Sequence, residues 1–429
     1  MQMFGQLNQN IQNPKLFDLL KNLTKTFIDA LDKPFSPDYG SWYDRIKALI
    51  DRDPELFAKI LEKRPDLEEK KLSSCLVSAK RCLQTFLKED ICRNAPHAST
   101  LEAYQNELAF FLEKLFKERE RIRVRGLFSS PEAFARHFDG IFLREYLKYE
   151  KYLFDDSVSD LLICQLPDFI CSKNIELGNH LAIRKITQEE FHSLVEADER
   201  HGYQLESYPD FILCVRVDSG NWQDDIDRVI TSLRLLKRER MGLLRIYYSY
   251  AFPCRPWKIV ETPLGTKSKS AEAFFHLADS EYEELKNLFM LLNRVKDAGY
   301  LAISIRRFNF AYERERLEDS WIDYFVSLES LYSKASELTE VTHRLATRVA
   351  LALGTDSLAG KKEIRDKIKK WYRVRSKVIH GLKVNLSQKQ FQELEEILRR
   401  SIKWFINQKE YANHDKIIDL LDLSSMNSS

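Results

Sequence analysis

The sequence predicts a mostly α-helical protein in three parts. These are a helical N-terminal region over residues 1–127, a small α+β module over 128–277, and a C-terminal helical bundle over 278–425. Three observations carry the prediction. Apolar residues recur at helical spacing through most of the chain. Short β-favouring runs are confined to one central stretch. Helix-start signatures of the capping-box type stand at Ser280-x-x-Glu283 and Ser387-x-x-Gln390.

Composition bounds the function. With 429 residues there is material for two or three domains and a substantial core. A hydrophobic share of 44% beside 31% charged residues is that of an ordinary globular chain. The formal net charge is only +2, so no global basic field advertises a nucleic-acid partner, and any such site must be local. The seven cysteines (Cys75, Cys82, Cys92, Cys164, Cys171, Cys214 and Cys254) form no C-x2-C pair and no Cys/His cluster with zinc spacing. They read as reduced thiols, and neither a metal nor a cofactor is expected. The N-terminus lacks the basic start and apolar run of a signal peptide, and no apolar stretch reaches membrane-spanning length. The expectation is a cytoplasmic protein with no membrane partner.

Along the chain, residues 1–12 are polar, and a helical stripe of Leu16, Leu19, Leu20, Leu23 and Phe27 follows Pro14. Short helices punctuated by Pro54 and Pro65 come next, then a long helix with Leu101, Leu108, Phe111, Leu112 and Leu115 on one side. The charge run from Lys117 to Arg125 alternates acids with bases, as a solvated helix face does. Ser130-Pro131 is a helix start, with serine as cap and proline at the first position.

From about 158 to 277 the runs LLICQL, LAIRKI, FILCVRV, LLRIYYSY and WKIVET predict strands, with helices at 188–196 and 223–239 between them. Asp218, Asp224 and Asp225 sit at a turn and a helix start, where acids serve capping and the dipole rather than a metal. The tract GTKSKS (265–270) lacks the glycines of a phosphate loop and reads as a basic linker.

The bundle opens at Ser280. Its first helix carries Leu285, Leu288, Leu292 and Val295, and its second runs from Tyr300 with the pair Arg306-Arg307. In the third, Trp321, Phe325, Leu328 and Tyr332 make the core stripe, with Glu329 beside it. A carboxylate on a partly buried face needs a partner, and Arg344, Arg348 and Arg375 are the candidates. As a structural ion pair or a supporting group, Glu329 would position the helix that follows.

That helix begins near Ser357 and ends in the tract WYRVRSKVIHG (371–381). Ile364, Ile368, Trp371 and Val378 mark one buried face, and Arg375 lies on the same seam. Arg373 lines up with Lys362, Asp366, Lys369 and Lys377 on the solvated face. His380 comes five residues after Arg375, and Gly381 stands where a helix C′ glycine belongs. Basic residues are also common in a last helical turn because the dipole is negative there, so the spacing of Arg375 and His380 carries little by itself.

The tract RSKVIHG, preceded by WYRV, resembles the R-x4-6-H signature of the HEPN superfamily, in its ApeA-like branch. The blocks ISIRRFNFAYERERLEDSWIDYFVSLESLY and THRLATRVALALG are similar to the preceding helices of that branch, in the same order. The resemblance covers roughly residues 280–425, with a weaker echo back to about 160. It implies a helical bundle, commonly dimeric, and for many members a metal-independent ribonuclease in defence or toxin systems. Some members have lost activity, which leaves a non-catalytic nucleotide- or RNA-binding scaffold as the alternative. A purely structural bundle with a capped helix end is a third reading. The parts ahead of the bundle would then sense a trigger or restrain the nuclease.

The chemistry available fits that implication. Lys361, Lys362, Arg365, Lys367, Lys369, Lys370, Arg373, Arg375 and Lys377 face only Glu363 and Asp366, a local basic patch able to hold a phosphodiester backbone. Lys369, Lys370, Arg373 and Lys377 are the expected RNA contacts. Imidazole changes charge near neutral pH, so His380 can act as base or acid. Arg375 offers a permanent charge and a planar fork for phosphate oxygens. Ser376 can orient the phosphate or the imidazole, and Tyr372 can pack or stack on a base. Residues five apart lie about 140° apart on an ideal helix. Unwinding at Gly381, or a homodimer with facing motifs, would bring Arg375 and His380 together.

Overall fold

The two strands at the centre of the sheet, 161–165 and 211–216, are buried almost along their whole length, so both of their faces are covered. In the computed structural model, residues 131–154 and 159–426 are described apart from 204–208, 218–220, 239–240, 252–256, 264–273, 335, 338–339 and 355–356, together with isolated positions between 11 and 115. The chain divides into two compact units, Met1–Asp160 with Ser249–Trp257, and Leu161–Tyr248 with Lys258–Ser429. The sheet segments and the bundle, which the sequence separates at 277/278, thus share one unit.

In the first unit, helix α1 (Pro131–Phe154) begins at the expected proline. Its buried face carries Phe142, Tyr146, Tyr149 and Tyr152. Phe17 and Phe111 meet Phe142 edge-on, with ring centroids 5.5 and 6.0 Å away. Leu20, Phe111 and Leu115, described members of the two N-terminal stripes, are buried. The rest of those stripes, the run Lys117–Arg125, the GTKSKS tract and Asp218 lie outside the described residues.

The second unit opens on β1 (Leu161–Gln165), β2 (Phe169–Cys171), β3 (Ile175–Gly178) and β4 (Leu181–Lys185). Helix α2 (Gln188–Arg200), β5 (Phe211–Arg216), α3 (Trp222–Leu236), β6 (Ile246–Ser249), β7 (Lys258–Val260) and β8 (Phe275–Leu277) follow. Six strands form a sheet in the order β3-β4-β5-β1-β6-β7, while β2 and β8 pair in parallel as a separate ribbon. The register Leu162↔Val215 and Cys164↔Leu213 puts these four side chains on one face, over Ile226, Val229, Ile230 and Leu233 of α3. The five strands and two helices expected between 158 and 277 are present. Strands β2, β3 and β8 are additions, each of three or four residues and too short for alternation to stand out.

Seven helices form the bundle. They are α4 (Tyr282–Arg294), α5 (Gly299–Glu313), α6 (Leu317–Tyr332), α7 (Val341–Leu353), α8 (Leu358–Ile379), α9 (Gln388–Ile406) and α10 (His414–Met426). Ser387 and Gln390 exchange the hydrogen bonds of a capping box at the head of α9. The box expected at Ser280–Glu283 is not formed. A short 3₁₀ turn at Asp279–Glu281 precedes α4, and it is Glu281 that accepts the Ala278 N–H, at 2.8 Å. The helix-start bond is thus made two residues earlier than the pattern places it, at Ala278 and Glu281.

Sheet and bundle are joined by a buried polar seam. Arg234, near the end of α3, is fully buried; its Nε donates to the Met241 carbonyl at 2.7 Å and Nη1 to Asn309 Oδ1 of α5 at 3.0 Å. Its guanidinium lies 4.5 Å from the Tyr312 ring centroid. Arg399 of α9 donates to the Arg234 carbonyl at 2.8 Å and to Glu395 at 2.6 Å. A buried charge is costly unless it is met, and here the Met241 carbonyl and Asn309 meet the Arg234 guanidinium while Glu395 meets that of Arg399.

Among the described residues no helix is long and apolar enough to cross a membrane.

Candidate functional site

Helix α8 sets the site. Ser357 caps its first turn by accepting the Gly360 N–H at 3.1 Å. Ile368 and Trp371 are buried, and Trp371 meets Trp321 of α6 edge-on at 6.0 Å. Four residues after Trp371, and therefore on the same seam, Arg375 is carried toward α6. Its side chain is 21% exposed and faces Glu329, itself 23% exposed.

Arg375 Nη2 donates to Glu329 Oε2 at 3.2 Å, and the Tyr372 hydroxyl donates to Glu329 Oε1 at 2.8 Å. Of the three candidate partners for Glu329, Arg375 is the one that the structure supplies. Arg344 and Arg348 instead meet Glu337, and Arg348 also meets Asp422. The Arg375 guanidinium carbon lies 5.2 Å from the Tyr372 ring centroid, and Phe325 meets the same ring edge-on at 5.5 Å. Burial, then the Glu329 carboxylate, push the Tyr372 phenol up to about 12. A guanidinium carries five N–H donors. Arg375 Nε is buried without a partner, and the bond to Glu329 is the one hydrogen bond the side chain makes among the described residues. Tyr372 packs against Phe325 and Arg375, so it belongs to the wall that holds the arginine rather than to a free stacking platform.

The helix stays regular to its end. His380 is the C-cap with φ −84° and ψ 11°, and its N–H donates to the Ser376 carbonyl at 3.1 Å. Gly381 follows at φ 71°, its N–H on the Val378 carbonyl at 2.9 Å, and the Leu382 N–H reaches the Lys377 carbonyl at 2.9 Å. Those paired bonds are a Schellman ending, and the left-handed residue it requires is the glycine expected there. There is no unwinding before His380, so Arg375 and His380 of one chain point about 140° apart. The imidazole is exposed, flanked by Ile379 at 48% and Leu382 at 58% exposure.

Ser376 is half-buried, between the two. Lys370, Arg373 and Lys377 are exposed and Lys369 half-buried, and none of the four pairs with a carboxylate among the described residues. Lys367, by contrast, is held by Glu363 at 2.9 Å and Glu393 at 3.2 Å. Asp225 is buried against His180, 3.0 Å away, and Arg228, while Asp224 accepts from Asn221. Among the described residues no three His, Cys, Asp or Glu side chains converge.

The bond between Tyr372 and Glu329 is the feature that the sequence reading lacked. The signal was present, since Tyr372 lies three residues before Arg375 and faces the same neighbouring helix.

No protein-family model matches the chain, and neither curated proteins nor solved structures yield a match.

Proposed function

We propose that this chain is a metal-independent endoribonuclease of the HEPN type, acting in host defence or toxin-like growth arrest, with Arg375 and His380 as its working pair. The observation that carries the reading is the state of Arg375. It is half-buried and oriented by one carboxylate, with guanidinium donors left over for a second anion. A merely structural ion pair gives no account of the unmet Arg375 Nε or of Lys369, Lys370, Arg373 and Lys377 on the same helix, which pair with no carboxylate among the described residues.

In the reaction, His380 takes the proton from a ribose 2′-hydroxyl, whose oxygen attacks the adjacent phosphorus. The bond from phosphorus to the 5′-oxygen breaks, and that oxygen takes a proton, as it leaves, from the imidazolium of a second His380 in a homodimer. Arg375 stabilises the extra negative charge on the phosphoryl oxygens. One chain supplies one such histidine, aimed away from its own arginine. A homodimer with facing α8 helices would place two Arg375 and two His380 in one cleft.

The alternative, a non-catalytic scaffold that binds RNA or a nucleotide, draws on the same exposed basic residues and on the lack of an acid–base partner beside His380 in one chain. Incubating the purified protein with total RNA in EDTA, wild type beside His380→Ala, separates the two. Cleavage that disappears in the variant supports the nuclease; an intact RNA pool supports the scaffold.

A further inference from the structure

The basic residues of α8 are not evenly spread. At 100° per residue, Lys362, Lys369, Arg373, Ser376 and His380 fall within a sector about 60° wide. That sector holds no carboxylate. Glu363 lies outside it, toward the α9 side, where Lys367 bridges Glu363 and Glu393, while Asp366 stands about 20° beyond its edge. On the opposite border stands α6, whose Glu329 is occupied by Tyr372 and Arg375. Arg365 borders the sector 3.6 Å from Asp366. Among the described residues, Lys362, Lys369 and Arg373 have no acidic partner.

We infer that this basic stripe, with Asp366 as the one acid at its edge, is a track for one strand of RNA, running along α8 and ending at His380. The inference deepens the proposed function and rests on it for the identity of the polyanion. Lys362 and His380 are eighteen residues apart, which is about 27 Å along a helix. A stacked strand rising about 3.4 Å per nucleotide places at most roughly eight nucleotides there. Apart from His380, which the reaction uses, the stripe carries no aromatic ring, and Tyr372 beside it is packed between Phe325 and Arg375. Recognition is therefore of the backbone, and indifferent to sequence. A stripe one helix face wide fits one line of phosphates rather than the two of a duplex. Lys370 and Lys377 stand about 70 to 90° around the helix from the midline of the stripe and contribute less than Lys362 and Lys369.

The test is equilibrium binding of a labelled single-stranded oligothymidylate to the full chain, between about 50 and 200 mM salt. Lacking the 2′-hydroxyl, this probe reports binding apart from cleavage. For the wild type, affinity should rise with probe length and level off near eight nucleotides. Replacing both Lys362 and Lys369 by alanine should lower the slope of log affinity against log salt by about 1.4, at roughly 0.7 per phosphate contact. The Lys370→Ala, Lys377→Ala double variant removes the same charge and should lower it by less than half as much. An unchanged slope in the first variant, an equal fall in the second, equal affinity for a duplex of the same length, or no binding would each overturn the track. A chain that binds through the stripe yet leaves RNA uncut upholds the track and overturns the nuclease.

Discussion

Glu329 Oε1 accepts a hydrogen bond from the Tyr372 hydroxyl at 2.8 Å while its other oxygen receives Arg375 Nη2 at 3.2 Å. One carboxylate on α6 thereby fixes two side chains on successive parts of the α8 face. The pair sets the direction of the guanidinium before any ligand arrives, which is what preorganised charge stabilisation requires.

Removing the phenol should loosen that arrangement without removing charge. Tyr372→Phe is expected to cost about 1 kcal/mol in urea unfolding, the worth of one hydrogen bond. The phenol's pKa, raised from an ordinary 10 to about 12, also sets an alkaline window. Raised in the folded chain, it contributes stability that is full below pH 10 and lost as pH climbs through 12. The variant should show a shallower alkaline limb than the wild type. Identical limbs would mean that Tyr372 is neither buried nor held by Glu329 in solution.

Arginines 373 and 375 should separate cleanly in kinetics. Arg375→Ala is expected to lower kcat on the order of 10² to 10³-fold, the scale of a lost charge-stabilising donor. Arg375→Lys, which keeps the charge but not the fork, should fall between. Arg373→Ala should act mainly on KM, because Arg373 is exposed on the stripe and bonded to nothing at the seam. An essential Arg373 beside a dispensable Arg375 would show that the wrong face of α8 has been assigned to chemistry.

The acid limb of stability should belong largely to Glu337. Arg348 donates to both of its oxygens, at 2.7 and 2.5 Å, and these bonds hold the carboxyl down from an ordinary 4.5 to about 2. Depressed in the folded chain, it contributes stability that is present above 4.5 and lost as pH falls toward 2. Glu337→Gln should flatten that limb in thermal melts taken across the window. An unaltered limb would place the acid sensitivity elsewhere.

Parts of this architecture were legible in the sequence because the physics is local. The Ser387–Gln390 box, the Ser357 cap and the Gly381 ending each depend on a few neighbouring residues, and each forms where its residues stand. At Ser280 the same pattern failed, because Ser280 lies inside a 3₁₀ turn, which the pattern does not encode, and the helix-start bond forms at Ala278 and Glu281 instead. Arg234 gave no sequence signal of its burial, since its partners Asn309 and Arg399 are 75 and 165 residues away. The seam position of Arg375 could be read from spacing; its company, Tyr372 with Glu329, required the packing of α6 on α8.

Mixing should reveal whether two chains share a cleft. Arg375→Ala and His380→Ala proteins, each inactive alone, would form a heterodimer with one Arg375 and one His380 on opposite chains. Partial return of cleavage is expected on mixing, and light scattering should report a dimer. A strict monomer cutting RNA at full rate would rule out the shared cleft.

The central claim is that Arg375 and His380 direct a ribose 2′-hydroxyl at its own phosphate. Mass spectrometry of the products from one defined RNA oligonucleotide, digested in EDTA, tests it most directly. The wild type should leave 2′,3′-cyclic phosphate and 5′-hydroxyl ends, and His380→Ala should leave the oligonucleotide whole. Products with 5′-phosphate and 3′-hydroxyl ends, equal cleavage by the variant, or equal cleavage of DNA, which lacks the attacking hydroxyl, would contradict it.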